Sequence, residues 1–266
     1  MKEIICDTNI WYDLGKGLIQ KPKNVKLIAT WVNIIELGFS HPEIKEKLNP
    51  DDTINAAKAI LNYSDEIIEQ NAFAYPCAKV EKGVELKSQP SILSILKDIA
   101  DTGLPSNSTY HTHKYRYDYF IDMKNNFADT YNREKRNIRS KEIYNRASRE
   151  SFKKSDSAQI EEHVLGLLSD IRDYLNKEQQ LEIVFPDDDS FHRTLETIKI
   201  QLECFIYTRQ TFAKKSILEK NMKIQPNDFF DLLNLIYVGN DKLYWTKDKR
   251  WITSIKEAKM EKYLYN

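Results

Sequence analysis

The feature that most constrains the fold is the opening run Ile4-Ile5-Cys6-Asp7-Thr8-Asn9. A short apolar stretch bounded at once by polar residues reads as a buried parallel strand, the first of an open α/β sheet, turning into a helix. Ligands of such sheets collect outside the carboxyl ends of the strands, where Asp7 falls. Taken alone, Asp7 has an ordinary explanation, because Asp and Asn are favoured in turns and as helix caps. Three further acids stand at the edges of apolar elements: Glu36 in Asn33-Ile34-Ile35-Glu36-Leu37, Asp228 in Pro226-Asn227-Asp228-Phe229-Phe230-Asp231, and Asp248 in Tyr244-Trp245-Thr246-Lys247-Asp248.

A chain of 266 residues can bury a sizeable core without staples. Its 40 basic and 40 acidic residues cancel, so no global field selects nucleic acid or membrane, and any electrostatic signal is local. Seven Gly and eight Pro are few for this length and point to a helix-rich protein. Cys6, Cys77 and Cys204 are widely spaced and odd in number, which indicates neither a disulfide framework nor a zinc ribbon and makes a reducing cytoplasm the expected compartment. Acids at Glu3 and Asp7 interrupt the N-terminal apolar run, unlike a signal peptide, and no apolar run approaches membrane-spanning length.

Read in order, Ile10 to Leu18 forms a short helix, and Val25 to Thr30 forms a second strand or begins a helix. Trp31 to Leu37 is a helix with Asn33 and Glu36 on one polar edge, directed back toward the first strand if the two elements pack. Pro50-Asp51-Asp52-Thr53 opens an amphipathic helix expected to run to about Gln70. A candidate strand at Phe73 to Ala78 and a helix from Pro90 to Ala100 follow, and the stretch from Thr102 to Ser108 is the clearest linker signal in the chain. Further expected elements are a helix at Ser157 to Lys177, a strand at Leu181 to Phe185 and a long helix from Ser190 to Glu219.

From Tyr110 to Lys154 twelve Lys and Arg stand against six Asp and Glu, interleaved with aromatics as in His113-Lys114-Tyr115-Arg116-Tyr117. Basic side chains neutralise phosphates and aromatic faces stack on unpaired bases, so Lys114, Tyr115, Arg116, Arg133, Lys135, Arg136 and Arg139 are candidate nucleic-acid contacts. The same pattern also fits a helical hairpin with an aromatic core and a solvated charged face. His111 and His113 have no cysteine or third histidine beside them, which leaves zinc unsupported.

The C-terminal stretch is the most specific. Pro226-Asn227-Asp228 is a helix start, with Asn227 as candidate cap and Asp228 in the positively polarised first turn. Asp231 lies three residues on and shares its face. A short strand, Leu243-Tyr244-Trp245, then ends in Thr246 and Asp248, repeating the arrangement at Asp7.

Together these motifs resemble PIN-domain nucleases: an apolar strand ending in Asp7-Thr8-Asn9, the helix acid Glu36, the helix start Asn227-Asp228 with Asp231, and Thr246-Lys247-Asp248 followed by an aromatic at Trp251. The resemblance implies a PIN-like α/β fold, a mostly parallel central sheet flanked by helices. Residues 1–104 would be its first part and 216–266 its C-terminal part. Residues 105–215 depart from the family pattern and are read as a helical insertion.

Clustered carboxylates repel unless protons or a divalent cation compensate, and an all-oxygen donor set favours Mg2+ or Mn2+. The resemblance implies that Asp7, Glu36, Asp228 and Asp248 are catalytic and bind metal together with Asp231, while Asn9, Asp231 and Thr246 are auxiliary. It implies a metal-dependent endoribonuclease acting on single-stranded RNA, as a toxin with an antitoxin-like partner or as an RNA-processing enzyme, and a PIN-type homodimer. A structure-specific DNA nuclease and a non-catalytic RNA-binding or scaffold module are the competing readings.

Overall fold

The computed structural model describes residues 1–38, 50–72, 74–76, 90–140, 199–219, 221–239 and 241–266, without the side chains of 115–117, 119, 134 and 138–140. Ile4, Ile5 and Cys6 are completely buried, so strand β1 (Lys2–Cys6) is covered on both faces, as its unbroken apolar run requires. On one side it pairs in parallel with β2 (Val25–Thr30), Ile4 opposite Leu27 and Ile5 opposite Ile28. On the other it pairs in parallel with β4 (Lys242–Trp245), Ile5 opposite Tyr244 and Cys6 opposite Trp245. A short edge strand, β3 (Glu66–Ile68), completes the order β3-β2-β1-β4. The chain leaves β1 toward β2 and returns to its other side only at β4, so the topological switch point lies between β1 and β4.

Charge alternates across the sheet, with Lys26 and Lys242 in register with Glu3 and Glu66 diagonal to Lys26. Lys26 Nζ lies 2.6 Å from Glu66 and 3.0 Å from Glu3, and Lys242 lies 3.1 Å from Glu3. Ladders of this kind, partly exposed, add little stability, but a one-residue slip would set like charges side by side.

The helix α1 (Thr8–Gly15) follows β1 and α2 (Trp31–Gly38) follows β2 without a break. Next, α3 (Pro50–Tyr63) packs against α1 so closely that a Cβ on Gly15 would stand 2.4 Å from the Asn55 carbonyl oxygen. That helix stops well short of Gln70, because Asp65 breaks it. The Asp65 N–H donates to Leu27 O, its carboxylate accepts from Leu27 N and Lys21 Nζ, and Ile67 and Ile68 then extend along β2. An open sheet edge thus takes residues whose local pattern continues a helix.

The stretch after α4 (Leu93–Thr102) is a cap and turn, with Gly103 in the left-handed region at φ 81°, before α5 (Asn107–Ser140) begins. At 34 residues α5 is about 50 Å long. Phe120 on its buried face meets the Trp31 ring at 4.5 Å, and Phe127 meets Phe229 at 5.6 Å, so α5 joins the core that contains the sheet. Helices α6 (Glu203–Leu218), α7 (Asp228–Asn234) and α8 (Lys249–Glu257) follow, with short 3-10 turns at Leu235–Tyr237 and Glu261–Tyr263. Residues 74–76 are helical rather than extended, and the expected elements at 157–177 and 181–185 lie outside the described residues. No described helix is long and apolar enough to cross a membrane.

Candidate active site

Two strands end side by side at the switch point, and each ends in a residue of the site. Asp7 follows β1 and caps α1. Its Oδ1 accepts from Thr8 N at 2.7 Å, and its Oδ2 accepts from Asn9 Nδ2 and Thr246 Oγ1, each at 2.5 Å. Thr246, at the end of β4, also accepts from Asn9 Nδ2 at 3.2 Å and from Asp248 N at 3.0 Å. Asp248 caps α8 by accepting from Arg250 N at 2.7 Å. Asn9 and Thr246 therefore orient Asp7, the first with an amide and the second with a hydroxyl.

Glu36 comes from α2. Thr8 Oγ1 donates to Glu36 Oε2 at 2.6 Å and accepts from Asn33 Nδ2 at 3.1 Å, while Asn33 Oδ1 accepts from Thr30 N at 2.8 Å. Asn33 and Glu36 do share an edge of their helix, but Asn33 is wholly buried and serves as the tether behind Thr8. Glu36 itself is half-buried.

Helix α7 contributes the last two acids, and they behave differently. Asp231 is in electrostatic contact chiefly with Asp7 and Glu36. Both oxygens of Asp228 are engaged elsewhere: Oδ2 accepts from Gln225 N at 2.7 Å and Oδ1 from Arg250 Nη1 at 2.7 Å. Asn227 occupies the capping position without a side-chain hydrogen bond, so the expected cap is not made by its side chain, and Asp228 binds Gln225 N ahead of the helix instead.

Lost hydration raises Asp7 to about 6, with the Asp248 charge adding to it and the Thr246 and Thr8 hydrogen bonds opposing it. Glu36 is raised to about 7, by the same loss of water and then by the charge of Asp7. Asp231 is pushed well above the carboxylate range by burial and by the charges of Asp7 and Glu36, and burial also raises Asp228 despite its arginine. Two buried donors stand beside these acids, the Tyr244 hydroxyl near Asp7 and the Trp251 indole N–H near Asp231, and neither completes a well-formed hydrogen bond.

Among the described residues no three carboxylate, imidazole or thiolate groups are already drawn together as a complete cation-binding set. The donor chemistry nevertheless fits a hard divalent cation: acids from four elements share one neighbourhood, the charges of Asp7, Glu36 and Asp248 each raising a neighbouring acid, with unsatisfied buried donors beside them.

Among the described residues two further cations reach this cluster, neither marked by a motif. Lys124 of α5 is buried, its ammonium 5.1 Å from the centre of the Phe230 ring and in electrostatic contact with Glu36. Arg250 is the other. The signal for Lys124 was its phase: Phe120, Lys124, Ala128 and Lys135 are all buried along one face of α5.

That phase also corrects Lys135, expected at a nucleic-acid surface. Its ammonium points inward and donates to Glu219 O at 2.8 Å and to Met222 O. Lys114, Arg133 and Arg136 are exposed on α5, and the side chains of Tyr115, Arg116 and Arg139 lie outside the described residues. Protein-family models, curated proteins and solved structures all show no match to this chain.

Proposed function

We propose that the chain is a metal-dependent endoribonuclease that hydrolyses phosphodiester bonds in single-stranded RNA, with Asp7, Glu36, Asp231 and Asp248 as the residues that would hold Mg2+ or Mn2+. The observation that carries this reading is the convergence of acids from β1, α2, α7 and the end of β4 at the switch point, in surroundings that penalise their charge. A bound divalent cation would supply Lewis-acid activation of water and stabilise charge on the departing oxygen.

The chain's own groups supply the rest. Thr246 Oγ1 and Asn9 Nδ2 hold Asp7 Oδ2, and the Thr8 hydroxyl holds Glu36 Oε2, so both carboxylates are oriented before any ligand arrives. Glu36 is raised to about 7 in the metal-free protein, so a bound cation would favour its ionised form. The motif resemblance to PIN-domain nucleases supports a phosphodiester substrate and RNA over DNA. Exposed Lys114, Arg133 and Arg136 on α5 are the proposed contacts to its backbone.

The test is cleavage of a mixed-sequence single-stranded RNA with Mn2+, with Mg2+ and with chelator, beside Asp7→Asn. Metal-dependent cutting that the variant loses supports the reading, and equal cutting by Asp7→Asn removes it. RNA binding without Mn2+ binding or cleavage would favour the binding module.

A further inference from the structure

Arg250 joins two acids of the cluster, Asp248 and Asp228. Its backbone N–H caps onto Asp248 Oδ1, and its Nη1 lies 2.7 Å from Asp228 Oδ1. Nη2 donates to Lys223 O at 3.0 Å, and the guanidinium carbon stands 5.0 Å from the centre of the Phe212 ring, which is itself stacked on Trp251 at 4.8 Å. The guanidinium is thereby held on three sides. One hydrogen on each Nη and the Nε–H remain to donate, and the side chain is 33 % exposed while that of Asp228 is 5 % exposed.

We propose that Arg250 is a substrate-phosphate contact of this site and that Asp228 is its orienting carboxylate rather than a cation ligand. The inference rests on the nuclease reading given above and deepens it. A planar guanidinium fixed by a buried acid, a carbonyl and an aromatic face has lost its rotamer freedom in advance and presents parallel donors, the geometry that matches two oxygens of one phosphate. Asp228 fits the orienting role because Gln225 N and Arg250 already take one oxygen each. Asp231, one helical turn on, is the α7 acid in electrostatic contact with Asp7 and Glu36. Arg250 also sits two residues past Asp248, so a phosphate on its open edge lies beside the acids rather than along α5.

The experiment separates cation binding from substrate binding. Mn2+ affinity is measured by calorimetry, and affinity for a labelled mixed-sequence single-stranded RNA by anisotropy in chelator, where no cleavage occurs. Asp228→Asn, Asp231→Asn, Arg250→Gln and Arg250→Lys are compared, each checked for folding by circular dichroism. Asp231→Asn is expected to weaken Mn2+ by about tenfold or more, whereas Asp228→Asn and Arg250→Gln keep it within about twofold. Arg250→Gln is expected to weaken RNA by about tenfold, Asp228→Asn by less, and Arg250→Lys to recover only part of the loss, since an ammonium lacks the fork. A fall in Mn2+ affinity in Asp228→Asn equal to that in Asp231→Asn overturns the inference while leaving the nuclease reading intact, as does unchanged RNA affinity in Arg250→Gln. Wild-type protein that binds neither Mn2+ nor RNA overturns both.

Discussion

Thr246 Oγ1 donates to Asp7 Oδ2 at 2.5 Å across 239 positions of sequence. The bond ties the ends of β4 and β1 together at the switch point and makes the orientation of Asp7 a property of two strands. Thr246→Val keeps the shape and removes the donor, so Asp7 keeps only its Thr8 and Asn9 partners. Mn2+ affinity should fall about tenfold or more, as for other groups that orient a ligand. Titration calorimetry checks it, and an unchanged affinity would show that Thr246 is a turn residue and nothing more.

The acids make the metal-free protein sensitive to pH in a defined direction. Asp7 and Glu36 have folded-state values raised to about 6 and about 7, so the folded state binds protons more tightly than the unfolded chain. Their contribution is complete below about pH 4 and is lost as the pH rises through 7. Glu3, Asp65, Asp98 and Glu203 are shifted downward, and their opposing contribution is already complete in the upper part of that window. In chelator the melting temperature should therefore be lower at pH 8 than at pH 5.5, and Mn2+ should restore most of the difference at pH 8. A higher melting temperature at pH 8 in chelator would contradict this.

Lys135 and the exposed basic residues of α5 should separate cleanly. Lys135→Met strips a buried ammonium from the carbonyls of Glu219 and Met222 and should cost about 1 to 3 kcal/mol of stability, with RNA affinity unchanged. Replacing Lys114, Arg133 and Arg136 together by Ala should leave stability within about 1 kcal/mol and weaken RNA binding. Its dependence on salt should also flatten, by about 0.7 in log–log slope for each phosphate that is no longer neutralised. Urea melts and a salt series of binding curves measure both, and an Lys135→Met variant deficient in RNA binding alone would reverse the assignment.

Gly15→Ala should destabilise by about 1 to 3 kcal/mol, because the new Cβ would press on the Asn55 carbonyl and separate α1 from α3. The matching change at Gly17, which has no atom within 4 Å but a φ of 68°, should cost about 1 kcal/mol through backbone strain alone. Equal effects at the two positions in chemical denaturation would show that the close approach of α1 and α3 relaxes freely.

Part of this architecture is legible in the amino-acid sequence. The apolar runs of β1 and β4, and the acids that follow them, are local patterns with local causes and appear where they are expected, whereas Val25 to Thr30, which also fits a helix start, becomes a strand by pairing with β1. Asn33 and Glu36 fall on one helix edge because side chains three apart must. The extension of α3 to Gln70 failed because Glu66 to Ile68 answer to a neighbouring strand rather than to their own periodicity. Lys124 and Lys135 were counted as charge when their helical phase placed them on the buried face, beside Phe120 and Ala128.

Local patterning fixes which residues can end a strand, open a helix or carry charge in a parallel α/β sheet, and packing between distant elements selects which of them come together. Asp228 and Asp231 share a helix and a chemistry, yet one is bound by Arg250 and the other is in electrostatic contact with Asp7 and Glu36. That choice depends on how α7 is rotated against α8 and the strand ends. The upward shifts of the acids depend on water excluded by elements distant in sequence, which no local pattern encodes.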